Sequence, residues 1–462
     1  MKTGRIAAPL FVLMAAAICV VAFETWAVAQ TNPTTITQKP VSTEPGQNLP
    51  VLKLEDLEQM ALKNNPTLQQ AEAAIRAAEG RRRQAGLWPN PIVGYEAEGL
   101  AFNPDTRANR SGHYVFVEQN ILLGGKLGKS KNIAAQEKVQ AQSGADAQRL
   151  RVVNAVRALY YEALGAQQMV ELRRQLADLT REAVNISDEL FNVGQSDRPD
   201  VLAAEVEQQR AELDLLRAQN DFNRVWQMLA AVVGNSQLKA SGLEGNLEAE
   251  APKLEQDKML TILLGESPEM KQAMAGVERA KAVISRAKAE PMPDVFLRGS
   301  IGNNNEFEEF SGFRVGKEAR VEAGVRIPIF NRNQGNVAAA KAELTSAEAE
   351  VRRVELALRA RLAESFNRYL TLLGTASRYQ REMLPRAQKA YELYLAKFRQ
   401  MGAAYPQVLI SQRTLFQLRA EYISSLVELW QNVTELRGML LVGGLDAPAG
   451  VPGATTMGGS NQ

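Results

Sequence analysis

The chain has 462 residues, with 54 Lys and Arg against 52 Asp and Glu, a formal net charge of +2. So even a balance gives no reason to expect nucleic acid or another polyanion as a partner. One histidine and one cysteine leave no material for a His/Cys metal cluster, and no catalytic constellation is found.

At the N-terminus Lys2 and Arg5 precede an apolar run from Ile6 to Phe23 and a small-x-small site, Ala27-Val28-Ala29. That order is a secretory signal peptide over residues 1–29, cut after Ala29; the competing reading is a membrane anchor. Cys19 has Ile18 before it and Val20-Val21 after it, which is a poor context for lipidation. Residues 30–50, rich in Thr, Pro, Gln, Asn and Ser, read as an extended leader, and residues 443–462 as a disordered tail.

Between these ends the chain repeats itself once, as residues 51–250 and 251–442. Asn65-Pro66-Thr67-Leu68 answers to Ser267-Pro268-Glu269-Met270, and Pro89-Asn90-Pro91 to Pro291-Met292-Pro293, both at an offset of 202. Asn120-Ile121-Leu122-Leu123 answers to Ile327-Pro328-Ile329-Phe330, and Phe191 with Pro199 to Phe398 with Pro406, at 207. Each half predicts a short helix, two β-segments around a loop, a very long helix, a turn and a second long helix. Lys126 to Leu190 runs without proline, about 95 Å as a helix. In the second half Val337, Leu344, Val351 and Leu358, with Ala340, Ala347 and Val354, recur every 3.5 residues as a coiled-coil seam, and the helix continues past Pro385 to Gln400.

The β-segments alternate. Val321, Ala323, Val325 and Ile327 oppose Arg320, Glu322, Gly324 and Arg326; Leu297 and Ile301 oppose Arg298; Val93, Tyr95 and Ala97 oppose Glu96 and Glu98. His113 to Gln119 is less clean, since Tyr114-Val115-Phe116-Val117 is apolar on both faces. Apolar-out, charged-in strands of about ten residues suit a lipid-embedded barrel with a wet lumen, lined here by Glu96, Glu98, Arg298, Arg320, Glu322 and Arg326; a half-buried soluble sheet is the plainer alternative. Four strands cannot close, since barrels start at about eight, and open edges in lipid leave backbone groups unpaired, so several copies must share one barrel. The fold class expected is mainly α with a small membrane β part.

This duplicated layout, with Trp88-Pro89-Asn90-Pro91 before the first strand and Arg326-Ile327-Pro328-Ile329-Phe330 ending the fourth, resembles the TolC-like outer-membrane efflux proteins, and most of all their heavy-metal branch. The resemblance covers residues 51–442. It implies a homotrimer with a 12-stranded barrel in outer-membrane lipid and a periplasmic α-helical barrel. It also implies a periplasmic adaptor (membrane fusion) protein and an inner-membrane RND-type pump as partners, with no cofactor, no bound metal and no chemistry in this subunit. The family's two periplasmic tip turns, where the adaptor docks and the tunnel narrows, match Gly194, Gln195, Ser196, Asp197, Pro199 and Asp200, and Gly402, Ala403, Tyr405, Pro406 and Gln407. Gln407 and Ile410 stand about where many members carry acids, so an acidic gate is not expected there. Asp197 and Asp200 are either gating acids or helix N-caps beside Pro199. His113 reads as a strand-end histidine, Gly124-Gly125-Lys126 as a strand-to-helix turn, and Arg81-Arg82-Arg83 as a solvated helix face or a lipopolysaccharide contact. A type I protein-secretion duct and a pore-less periplasmic coiled-coil scaffold are the alternative functions.

Overall fold

The computed structural model describes residues 51–100, 111–308, 310, 312–400 and 405–447. The expected signal peptide and leader, most of the tail, and Gly402 and Ala403 lie outside the described residues. The first half runs α1 (Leu54–Asn64), α2 (Pro66–Gln84), β1 (Ile92–Glu98), β2 (Gly112–Ile121), α3 (Lys126–Asn192) and α4 (Arg198–Val233). The second runs α5 (Gln256–Glu266), α6 (Pro268–Ala289), β3 (Val295–Glu308), β4 (Phe313–Val325), α7 (Gln334–Arg378), α8 (Leu384–Arg399) and α9 (Tyr405–Arg437).

Both halves thus open on two helices where one was expected, and the repeated Asn-Pro and Ser-Pro pairs are the reason. Proline is unfavourable inside a helix but welcome in its first turn, so each pair ends one helix and starts the next. Asn65 caps α2 by accepting from the Thr67 N–H at 2.9 Å, and its amide donates to the Val232 carbonyl at 2.7 Å, which ties the break to the end of α4.

α3 has 67 residues, about 100 Å of unbroken helix. Its counterpart is broken. A π-helical turn, Tyr379–Met383, separates α7 from α8 just before Leu384-Pro385. Pro385 has no N–H to give the Arg381 carbonyl and its ring crowds that carbonyl, and widening the preceding turn relieves both. Among the described residues no helix is long and apolar enough to cross a membrane.

The main core joins α1, α3, α4, α7 and α9 through Leu57, Val156, Leu164, Leu229, Leu358 and Leu436, all at most 2% exposed. A second, small cluster of Leu172, Phe416 and Ala420 lies further along the hairpins. Of the expected seam, Ala340, Val354 and Leu358 are buried, while Val337, Leu344, Ala347 and Val351 are half-buried in the single chain.

The four strands form one antiparallel sheet in the order β1-β2-β3-β4, leaving β1 and β4 as edges. The sheet corrects two expectations. β4 ends at Val325, so Arg326 and Ile327 follow the strand instead of lying in it. Their partner strand stops as well: β3 begins at Val295, opposite Val325, directly after Pro293-Asp294. The repeat offset at the strand-to-helix turn is also 208 and not 207. Gly125 (φ 66, ψ 24) precedes α3 and Asn333 (φ 59, ψ 22) precedes α7 in the same left-handed conformation. Asparagine is among the few side-chain-bearing residues that adopt it readily.

Candidate functional site

On one face of the sheet the exposed side chains are apolar: Val93 is 67% exposed, Ile301 70% and Val321 80%. The other face carries Glu96 and Glu98 on β1, Arg298 on β3 and Arg320 and Glu322 on β4, in agreement with the alternation. Arg298 pairs with Glu96 across the intervening β2. Arg320 reaches from β4 to Glu98 on β1 at 2.6 Å and also holds Glu318 at 2.7 Å. In a flat sheet the first and fourth strands lie about 14 Å apart, so a direct bond between their side chains makes the charged face concave. Glu322 lies opposite Arg298 in register but bonds to none of the described residues. Arg326, beyond the strand end, is exposed.

The aromatic residues that blurred β2 belong to this charged face. The Arg298 guanidinium lies 3.9 Å from the Phe116 ring centroid and that of Arg320 4.2 Å from Tyr114. Each ring rests on a glycine of a neighbouring strand. A Cβ on Gly94 would come within 2.5 Å of the Phe116 ring, and one on Gly302 within 2.4 Å of Tyr114. Phe296 covers Gly324 in the same way. Glycine, ring and guanidinium therefore stack in that order, giving the face flat aromatic platforms under its charges. The Tyr114 hydroxyl donates to Glu318 at 3.1 Å and accepts from Arg320 at 2.7 Å. His113 lies on the apolar face with its ring stacked on Tyr95, away from the charged side. Among the described residues no group of three or more His, Cys, Asp and Glu is placed to hold a metal ion.

At the far end of α3 the chain reverses through Gly194 (φ 74). Its N–H donates to the Phe191 carbonyl at 3.0 Å and the Gln195 N–H to the Leu190 carbonyl at 2.8 Å, a left-handed helix stop that glycine adopts without a Cβ penalty. Asp197 occupies the N-cap position of α4 but its side chain makes no capping bond, and Pro199 sits in the first turn. Asp200 accepts from the Ser196 hydroxyl at 3.1 Å. Capping therefore accounts for the position of Asp197 but not for its carboxylate. Tyr405 and Pro406 open α9, and Gln407 and Ile410 are exposed behind them.

Although 207 residues separate Pro199 from Pro406, the fold brings both, with Asp200, to one groove of about 840 Å³ between α4 and α9. Thr180 and Leu176 of α3 contribute to its lining. Arg413 of α9 approaches Glu207 of α4 at 3.8 Å across it, and Arg173 of α3 holds Asp214 at 3.4 Å. The sequence reading missed this groove. Its trace was the pair Leu202 and Val206, four residues apart on one helix face and each about half exposed.

A family model described as "Outer membrane efflux protein" matches residues 57–235 and 259–440. The chain is 27% identical over 389 residues to the cobalt-zinc-cadmium resistance protein CzcC of Cupriavidus metallidurans, covering 84% of this chain and 90% of that protein. The nickel-cobalt-cadmium resistance protein NccC of Alcaligenes xylosoxydans is 23% identical over 301 residues, 64% of this chain and 66% of its own. Among solved structures, CusC superposes with a TM-score of 0.71 at 18% identity, covering 84% of this chain and 92% of that one.

Proposed function

Since the chain belongs to the outer membrane efflux protein family, we propose that it is the outer-membrane channel subunit of a tripartite efflux system, a passive duct that carries out no reaction. The observation that supports this most is the sheet: concave and charged on one side, apolar on the other, with β1 and β4 left as open edges. In lipid each unpaired edge group costs several kcal/mol, so the edges must meet those of other copies. Three copies give a barrel of twelve strands around a wet lumen lined by Glu96, Glu98, Arg298, Arg320 and Glu322, with Arg326 at its helical end.

The long helices extend into the periplasm, and their tip docks the partners. Gly194, Gln195, Ser196, Asp197, Pro199 and Asp200, together with Gly402, Ala403, Tyr405, Pro406 and Gln407, form the site for a periplasmic adaptor, and an inner-membrane RND-type pump drives transport. The α4/α9 groove, apolar with charged walls, suits an amphipathic helix of such an adaptor. The resistance named in CzcC and NccC supports heavy-metal cations as the cargo.

Planar-bilayer recording of the purified, unheated oligomer tests the proposal. A single conductance unit from three copies is expected, and heating should abolish it together with the slow-migrating band. A protein that migrates as monomer before heating and gives no conductance would remove the channel.

A further inference from the structure

Where the sheet meets the helices, the chain concentrates positive charge. Residues 79–91, 122–138, 279–294 and 326–341 together carry fourteen Lys and Arg but only four Asp and Glu, in a protein of net charge +2. All four acids are held by cations of the same region. Glu79 is bound by Arg82, Arg83 and Lys138, and Glu137 by Arg279. Glu290 is bound by Arg286, and Asp294 by Lys126. Arg81, Lys129, Lys131, Lys288, Arg326 and Arg332 are left with no acidic partner among the described residues.

These cations border the place where the apolar face begins. Lys131 packs beside Gly86, its Cδ 3.1 Å from where a Cβ would stand, next to the exposed Leu87 and Trp88, 58% and 59% accessible. The Asn333 amide donates to the Ala287 carbonyl at 2.9 Å, which joins the backbone next to Arg332 to that next to Lys288, close in sequence to Ile329 and Phe330, 62% and 91% exposed. A belt of large apolar side chains with unpaired cations just behind it is the pattern of a bilayer surface. It lies at the helical end of the sheet, opposite the strand ends at Glu98, Gly112, Glu308 and Phe313, and therefore away from a lipopolysaccharide leaflet.

Resting on the outer-membrane reading above, we infer that this collar binds the phosphodiester headgroups of anionic phospholipids in the periplasmic leaflet. Clustered cations left free by their own chain lower the free energy of an anionic headgroup beside them, and the belt fixes the depth at which they meet it.

Trp88 provides the readout, because Trp26 falls in the expected signal peptide and Trp226 and Trp430 donate to carbonyls inside the helical body, beyond the reach of lipid. The reconstituted oligomer is placed in bilayers containing either brominated phosphatidylglycerol or brominated phosphatidylcholine, and quenching of Trp88 is compared at equal mole fraction. Phosphatidylglycerol should be preferred by about fivefold, the effect of one well-placed cation at an anionic surface. The preference should fall towards unity as salt is raised, and in the variant Arg81→Gln, Lys131→Gln, Lys288→Gln, Arg332→Gln. Equal quenching by both lipids in the unaltered protein overturns the inference, as does a preference that survives high salt. Failure of either lipid to quench Trp88 removes the membrane placement itself, a different result from equal quenching.

Discussion

Gly94, Gly302 and Gly324 have their identity set by the rings of Phe116, Tyr114 and Phe296 that lie on them. This is also why β2 could not be resolved from sequence. Tyr114 and Phe116 count as apolar in any alternation, and only their glycine partners on other strands show that they belong to the charged face. Neighbouring positions on β4 should therefore behave in opposite ways. Val321→Arg places a charge on the lipid side and should cost about 2–4 kcal/mol per copy, whereas Glu322→Gln should change conductance with little effect on stability. Urea unfolding of the oligomer in lipid separates them, and equal losses would mean the faces are reversed. Asn154 is a second such position, in the helical body. Its amide donates to the Gly438 carbonyl at 2.9 Å and the Leu441 carbonyl at 2.7 Å. Between those two lie Met439 and Leu440, both at positive φ. Asn154→Ala should cost about 1–3 kcal/mol by releasing those carbonyls, read as a lower midpoint in the same unfolding experiment. Glu435 on α9 titrates in a predictable direction. Burial pushes its carboxyl above the usual range, with Arg368 pulling the other way. The folded state therefore holds this proton at a pH where the unfolded chain has released it, so stability falls as pH rises from the ordinary carboxylate value through the raised one. Glu435→Gln should flatten that slope and leave the protein more stable at neutral pH; an unchanged slope would place the titration elsewhere.

The two halves share an order of elements but not a stiffness. α3 passes without a break through the span where the second half has a π-turn and Pro385. None of the described side chains of α8 is buried in the single chain. Few buried contacts mean cheap local opening, so amide hydrogen exchange should be faster in α8 than in the middle of α3. Pro385→Ala restores the missing donor and should slow exchange across 379–388; equal protection of α3 and α8 from the outset would dismiss the difference. Much at this scale was legible beforehand. The Asn-Pro and Ser-Pro pairs marked the repeat, glycine and proline marked the first tip turn, and the β4 alternation held up to Val325. The rest depends on partners distant in sequence. The end of β4 is set by where β3 begins, and the groove by helices whose tip prolines are 207 residues apart. The π-turn was signalled only by Pro385, a single residue inside a long helical pattern.

For the whole molecule the question is how the open edges β1 and β4 are closed. The chain already contains a template for the seam, because β2 and β3 join the two repeats as β4 and β1 would join two copies. Within the chain Val117 of β2 lies opposite Gly299 of β3. Advancing β2 by the 208-residue offset from Gly125 to Asn333 turns Val117 into Val325, and moving β3 back by the 202 that relates Pro291 to Pro89 turns Gly299 into Ala97. Val325 of one copy should then face Ala97 of the next, both on the apolar side. Cys19 is the only cysteine in the sequence, so after Cys19→Ser the pair Ala97→Cys and Val325→Cys can be oxidised without competition. Non-reducing electrophoresis of the oxidised protein, taken from outer membranes, is the most direct measurement. Closure by three copies predicts bands of one, two and three chains and nothing larger, whereas an absence of intermolecular disulfide, or a ladder continuing past three, would contradict it.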